Sequence, residues 1–322
     1  NEKTKYYHRK ELMKRRILIY GAGVIGSTFG GLLAASGQDV TLLARNKRLE
    51  ELNNNGLLLQ KNGKKKTQKI SVKIISELIE NDIYDYVFVT LRKEQVQNSL
   101  PILKKNKSQN FVFMVNNPSG YDNWTDALGE ERVIPAFPGS GGKIENGIVF
   151  YEIVTGIIQP TTIGELNGKN SVRIKELKSL FKNAGFIVSS SKNMDAWQKT
   201  HVAMVGPLGD VIYFDGGNNY SVARNSSAIK QMNLALKENF TFLKDSGIGI
   251  VPWKLNIIRL MPLWILNLSM KYAFDTKWAE TVISNHALNA KKEMKVISNE
   301  FIELAKSKGY NLKEFKKLVD RI

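Results

Sequence analysis

Six consecutive residues, Gly21-Ala22-Gly23-Val24-Ile25-Gly26, carry the spacing G-x-G-x-x-G. Each glycine has a separate use beside a pyrophosphate. Gly21 allows a tight turn, Gly23 lets backbone come close to the phosphates, and Gly26 permits a helix to pack tightly, while that helix offers free N–H groups to the anion. About twenty residues beyond such a loop, NAD sites place an acid on the ribose 2′-hydroxyl. This chain has Arg45-Asn46-Lys47-Arg48 there and no acid. A guanidinium holds phosphate oxygens through parallel hydrogen bonds, and a carboxylate would repel them, so the residues predict NADP(H). The competing reading, a solvated basic loop, stays open because basic residues are common throughout the chain.

Two further residues could carry chemistry. Lys199 lies inside the strongly apolar stretch MDAWQKTHVAMV, at a position expected to face a cleft between two domains. It is either a lysine that snorkels its ammonium to solvent along a long stem or one that is paired and used. Glu293 opens the last long helical stretch, where an acid in the first turn also simply favours the helix dipole. His201 stands two residues from Lys199, hence on another helix face, and reads as core. His286 could enter the cleft near Glu293, and Pro138-Gly139-Ser140-Gly141-Gly142 is either a tight loop or an approach to the nicotinamide. Three scattered histidines give no metal spacing, and the absence of cysteine excludes thiolate sites and disulfides.

These residues need elements to position them. Around the glycines, the apolar runs at 16–20 and 39–43 with a helix between them make a βαβ unit. Residues 47–55 look helical, and 57–75 read as a hairpin around Asn62-Gly63. YDYVFVTL at 84–91 and FVFMVN at 111–116 are buried-type strands with a helix over 94–103, hence a doubly wound sheet. From 133 the pattern changes to short strands between glycines, VIPAF, GIVFYEIV and GIIQPTTIGEL, expected to complete that sheet. A helix at 171–184 and a strand at 186–189 follow, and beyond 192 apolar positions recur at helical spacing to the end. The fold class is therefore α/β plus all-α: a Rossmann-type sheet over 13–190 and a helical substrate or dimerisation domain over 191–322. The polar residues 1–12 are set apart as an extension.

Composition bounds the rest. The 322 residues, 43% hydrophobic and 24% charged, suit about two soluble domains. The net charge of +17 is dispersed, its densest runs lack interleaved aromatics, and no nucleic-acid partner is expected. The most apolar region, 248–268, is interrupted by Pro252, Lys254, Arg259 and Pro262; it predicts a buried helix and an interface, not a membrane span. With no signal peptide discerned, a cytoplasmic location is expected.

Read together, the glycine loop, Val89-Thr90-Leu91-Arg92-x-x-Gln95, Asn117 after the next strand, Thr161-Thr162-Ile163-Gly164-Glu165, Trp197-x-Lys199 and Glu293 fall in the order of the ketopantoate reductase family, the NADPH-dependent 2-dehydropantoate 2-reductases. The chain resembles that family from residue 14 onward. The resemblance implies a small 2-keto acid substrate, Lys199 as catalytic lysine and Glu293 as substrate-binding carboxylate. It implies Arg92, Gln95 and Asn117 along the nicotinamide nucleotide, Asn117 also near the substrate, and is compatible with a homodimer. The family usually has lysine at Arg92. Two asparagines that follow the lysine in the family are missing from Lys199-Thr-His-Val-Ala203-Met-Val-Gly206-Pro207, and Thr281 stands where serine is usual, with Ser284 and Asn285 as substitutes. If Ala203 and Gly206 face the pocket, a bulkier, more apolar oxo acid is expected. An NADP-binding sensor that lost the substrate half is the non-catalytic alternative, against which retention of Lys199 and Glu293 argues.

Overall fold

A computed structural model describes residues 14–154 and 159–322, without the side chains of His286 and Asn289. The extension expected over 1–12 and part of the strand expected over 156–166 lie outside the described residues. In chain order the first part contains β1 (Arg16–Tyr20), α1 (Val24–Ala35), β2 (Asp39–Leu43), α2 (Asn46–Asn55), β3 (Leu57–Lys61), β4 (Gln68–Ile70), β5 (Lys73–Ile75), β6 (Tyr86–Val89), α3 (Lys93–Lys105), β7 (Phe111–Met114), α4 (Asp122–Leu128), β8 (Val133–Phe137), β9 (Ser140–Glu145), β10 (Ile148–Ile153), β11 (Thr161–Ile163), α5 (Val172–Asn183) and β12 (Val188–Ser190).

The principal sheet runs β12-β11-β8-β7-β6-β1-β2-β5. From β1 the chain winds outward through β2 to β5, then crosses back to β6 on the other flank and continues to β7 and β8, all parallel. The order therefore reverses between β1 and β6, and in such sheets ligands bind beyond the carboxyl ends of the strands at that point. The central strands are buried on both faces, which is why YVFV and FVFM are continuously apolar.

Not every strand expected to complete this sheet does so. β9 and β10 join β3 and β4 in a separate four-stranded sheet, β4-β3-β10-β9, with β10 parallel to β3. Alternation explains the difference. In β3, Leu57 and Leu59 are buried while Leu58 and Gln60 are half-buried, so this sheet covers the body with one face only. The Pro138–Gly142 segment is correspondingly not a loop throughout, since Ser140 already begins β9.

The remainder is helical: α6 (Met194–Asp215), α7 (Asn219–Arg224), α8 (Ser226–Asp245), α9 (Asn256–Leu260), α10 (Leu263–Phe274), α11 (Lys277–Ala279), α12 (Asn285–Asn289), α13 (Lys291–Ser307) and α14 (Lys313–Val319), with a π turn at Glu280–Ser284. α6 is the axis of this part, and α8, α13 and α14 pack around it. Inside the packing, Asp210 accepts a hydrogen bond from Ser298 Oγ at 2.7 Å, and burial raises its pKa well above the ordinary carboxylate value. None of the described helices is long and apolar enough to cross a membrane.

One ion pair, buried on its acidic side, ties the sheet to its covering helix. Glu165, just past β11, receives Arg173 Nε at 2.8 Å and Nη2 at 2.6 Å, while Arg173 also reaches Asn110 Oδ1 at 3.2 Å. Burial raises the Glu165 pKa, but the hydrogen bonds from Arg173 and Ser171 and the Arg173 charge more than reverse this, leaving it below the ordinary value. A carboxyl depressed in the folded state contributes stability that is complete above its unfolded pKa and is lost as pH falls through the folded one. Glu165→Gln should therefore cost about 3 kcal/mol at neutral pH. In urea unfolding the gap to the wild type should close as pH falls below about 4.3; a gap independent of pH would deny Glu165 this role.

Candidate active site

The strand order makes the glycine loop part of the site. Gly21 has φ +120°, in the left-handed region, and Thr90 Oγ1 holds its carbonyl at 2.8 Å. A Cβ at Gly26 would lie 1.9 Å from the Gly21 oxygen, so only glycine lets α1 start this close to β1. At Gly23 the same construction meets nothing within 4 Å: the backbone faces open space. Gly23 is the N-cap of α1, no side chain caps it, and no acid lies in the first turn. The free N–H groups thus face an open cradle, which fits the pyrophosphate of a dinucleotide.

Arg48, read from the sequence only as one of a basic cluster, braces this loop. Its Nε donates to Ala22 O at 3.1 Å and its Nη2 to Ser27 Oγ at 3.3 Å. Arg45 is exposed at the end of β2 and reaches back to Tyr20 OH at 3.2 Å. Of the two arginines, Arg45 is the exposed one and Arg48 is half-buried.

The other loops at this edge follow β6 and β7. Arg92 and Gln95 are exposed, and Gln95 Oε1 accepts from the Arg92 N–H at 3.2 Å, so this glutamine caps its own helix. The adjacent Lys93 points inward instead. Its Nζ donates to Asn117 Oδ1 at 2.5 Å and lies 3.5 Å from Glu300 Oε2 and 5.6 Å from the Trp124 ring centre. Burial lowers the Lys93 pKa, and Glu300 offsets this only in part. Asn117 is fully buried and donates to Gly120 O at 2.5 Å, so both ends of its amide are engaged within the 116–121 loop or by Lys93.

α6 supplies the lysine. Its first turn docks on the sheet edge: Gln198 Nε2 donates to Ala136 O at 3.3 Å, Trp197 packs on Phe137, and His201 stacks parallel to Trp197 with ring centres 5.3 Å apart. His201 is thus part of this aromatic packing, as its helix face suggested. Lys199 is 9% exposed, and its ammonium is held by both carboxylate oxygens of Asp195, with Oδ1 at 2.5 Å. A cleft of about 350 Å³ opens beside this pair, lined also by Ser119, Gly120, Tyr121 and Leu166. Asp195 escaped the sequence reading, although an acid four residues before a lysine on a helix is the spacing that pairs them.

Glu293 reaches the same loop from the other side. Asn116 Nδ2 donates to Glu293 Oε1 at 3.0 Å, and Ser119 Oγ donates to Glu300 Oε2 at 2.6 Å, so α13 is fastened to the 116–121 loop at two points. Asn116 Oδ1 is buried and takes no hydrogen bond from any described residue. Glu293 does not line the cleft that holds Lys199; the loop lies between them.

Several expectations about the pocket change. Ala203 is wholly buried in the helical core and its carbonyl accepts from Asn239, while a Cβ at Gly206 would meet the Phe315 ring at 2.7 Å. Neither faces the cleft, because α6 turns these positions toward α8 and α14. Thr281 is exposed and donates to its own helix at Lys277 O, Ser284 is buried, and Asn285 is exposed; none lines the cleft. The His286 side chain lies outside the described residues.

Residues 17–168 match the family model described as ketopantoate reductase PanE/ApbA. A 2-dehydropantoate 2-reductase of Pyrococcus horikoshii is 27% identical over 240 residues, 70% of this chain and 75% of that protein. Among solved structures, a 2-dehydropantoate 2-reductase from Geobacter metallireducens superposes with TM-score 0.76 at 18% identity, covering 95% of this chain and 98% of the other. A ternary structure of D-mandelate dehydrogenase with NADH and anilino(oxo)acetate has TM-score 0.75 at 16% identity, covering 95% and 96%. At such identities the two structures speak for the fold alone.

The glycine geometry separates two substitutions. Gly23→Ala has room for its Cβ and should fold with an unchanged melting temperature yet lose dinucleotide affinity by roughly tenfold or more, since the methyl enters the cradle. Gly26→Ala has no room and should lower the melting temperature. Isothermal titration with NADPH beside thermal unfolding distinguishes them; a Gly23→Ala protein that binds normally would remove the pyrophosphate from this loop.

Proposed function

Taking the chain as a divergent member of the ketopantoate reductase family, we propose that it is an NADPH-dependent reductase of a short 2-oxo acid, with Lys199 as the proton donor. One observation carries the reading most: a nearly buried lysine, held by a carboxylate, stands in a cleft at the same sheet edge as an uncapped glycine loop.

NADPH, when bound, supplies the hydride. Reduction of a ketone leaves negative charge on its oxygen, and the Lys199 ammonium both stabilises that charge and gives up a proton from Nζ. Asp195, one turn earlier on α6, holds Nζ at the cleft wall. Asn117 and Lys93 fix the shape of the 116–121 loop, whose Ser119 and Gly120 form another wall. Arg45 takes the 2′-phosphate.

The substrate preference follows from what remains of the pocket. With Ala203 and Gly206 taken up by the core, no apolar wall faces a bulkier oxo acid, and Leu166 is the one aliphatic side chain in a lining with Ser119, Thr125, Asp122, Glu130 and Asp195. A polar lining favours a substrate with its own hydroxyl. Ketopantoate should be reduced with a kcat/KM at least about tenfold above that for phenylglyoxylate. A clear preference for the aromatic acid would reverse this assignment.

The roles of two residues are separable by binding and turnover. Arg45→Ala should weaken NADPH by about 1.5–3 kcal/mol and leave NADH unchanged; equal affinities of the wild type for the two cofactors would sink the 2′-phosphate role. Lys199→Ala should reduce turnover by roughly 10²- to 10⁴-fold with NADPH binding retained. Full turnover in that variant would return Lys199 to a packing role.

A further inference from the structure

The buried helix expected over 248–268 is buried on one side only. α9 and α10 both lie on α8, and Ile258, Leu266 and Phe274 enter the helical core. α10 reads LWILNLSMKYAF and is apolar nearly all round, as helices are when both sides are to be covered. Its outward side is open: Trp264, Leu268 and Tyr272, at four-residue spacing and hence on one face, are 70%, 50% and 68% exposed. On α9 and the turn before it, Trp253, Ile257 and Leu260 are exposed as well. Of the five tryptophans in the chain, Trp124 and Trp197 are buried, and the three exposed ones all fall between 253 and 278. Scattered single apolar side chains are ordinary on a protein surface, but a row of this kind marks a surface meant to be covered.

The charges on this face have one sign. Between Asp245 and Asp275 the only charged residues are Lys254, Arg259 and Lys271, and both lysines are exposed. No carboxylate answers them within the stretch, and the whole chain carries +17. A second copy would set bases against bases, whereas a negative surface complements them. Charge alone gives no use to the aliphatic side chains between the lysines, but a lipid surface takes up both. Tryptophan and tyrosine fit the same place, since an apolar ring with one polar N–H or O–H settles where headgroups meet acyl chains. We infer that α9 and α10 dock on the surface of an anionic phospholipid bilayer and lie in the plane of its interface, with the outward apolar side chains among the upper acyl chains. Lys254 and Lys271, near the two ends of the stripe, meet the lipid phosphates. This is attachment to a surface and not a span, for which α10 with its 12 residues is too short. Lys199 and the glycine loop lie outside the stretch, so the inference rests neither on which oxo acid is reduced nor on the chain being an enzyme.

Co-sedimentation of the full chain with vesicles tests it, using phosphatidylcholine with about one-third phosphatidylglycerol beside phosphatidylcholine alone. The wild type should bind the anionic vesicles at least about tenfold more tightly. Trp264→Ser combined with Leu268→Ser keeps the net charge and should weaken that binding by roughly tenfold or more, with the circular dichroism spectrum unchanged. Ile79→Ser, which also removes an exposed aliphatic side chain but lies ahead of β6, should bind as the wild type does. Lys254→Gln combined with Lys271→Gln should reduce the preference for phosphatidylglycerol by roughly tenfold. Because the chain has no cysteine, Ser269→Cys on the exposed side of α10 gives a readout that does not rely on the double variants folding: an environment-sensitive fluorophore attached there should shift its emission to the blue on anionic vesicles. A wild type that stays in the supernatant with anionic vesicles overturns the inference, also if it pairs into a dimer, and so does a label whose emission they leave unchanged. A folded Trp264→Ser/Leu268→Ser protein that binds as tightly as the wild type overturns the assignment of this face. Binding to soluble polyglutamate as tight as to the vesicles would make the partner an acidic protein and overturn the lipid.

Discussion

The arrangement depends on one contact, the first turn of α6 against the carboxyl end of β8. Gln198 is buried there with its Nε2 on Ala136 O, and Trp197, Phe137 and His201 pack on one another. Sliding would cost the ring contacts and the one hydrogen bond the buried amide makes there. The turn that makes this contact also carries Asp195 and Lys199, so the same packing that joins helices to sheet sets the lysine at the strand ends. Asn193 helps to define the start of the helix by accepting the Ala196 N–H at 2.9 Å.

The 116–121 loop is the second joint. It hangs from β7, is held internally by the Asn117 amide, and is gripped by Lys93 from α3 and by Glu293 and Glu300 from α13. α13, from the far end of the chain, therefore meets the consecutive elements α3 and β7 on six residues. Their contacts are polar and partly solvent-accessible, the kind that exchange partners at smaller cost than buried apolar packing. The helical core behaves differently: there burial raises the Asp210 pKa, and the Ser298 hydrogen bond opposes this only in part.

Much was legible in the sequence because the signal was local. The glycine loop, the apolar strands of the principal sheet and the helical character beyond residue 192 all follow from periodicity and from what glycine alone permits within a few residues. Lys199 was visible as a charge in an apolar helix. For each of these, backbone geometry ties neighbouring residues together before any tertiary contact forms.

What the tertiary structure decided was which side chains face which space. Of two adjacent residues, Arg92 points to solvent and Lys93 inward; of another pair, Asn117 holds its own loop while Asn116 reaches Glu293. A one-residue difference along a loop reverses direction, and no pattern encodes it without the neighbour that receives the side chain. Ala203 and Gly206 share a helix with Lys199, yet packing under α8 and α14 removes them from the cleft. The departure of β9 and β10 into their own sheet has the same origin, because alternation announces one buried face and cannot say what covers it. Local geometry is written in adjacent residues, whereas partnership across the fold depends on surfaces that exist only once the chain has closed.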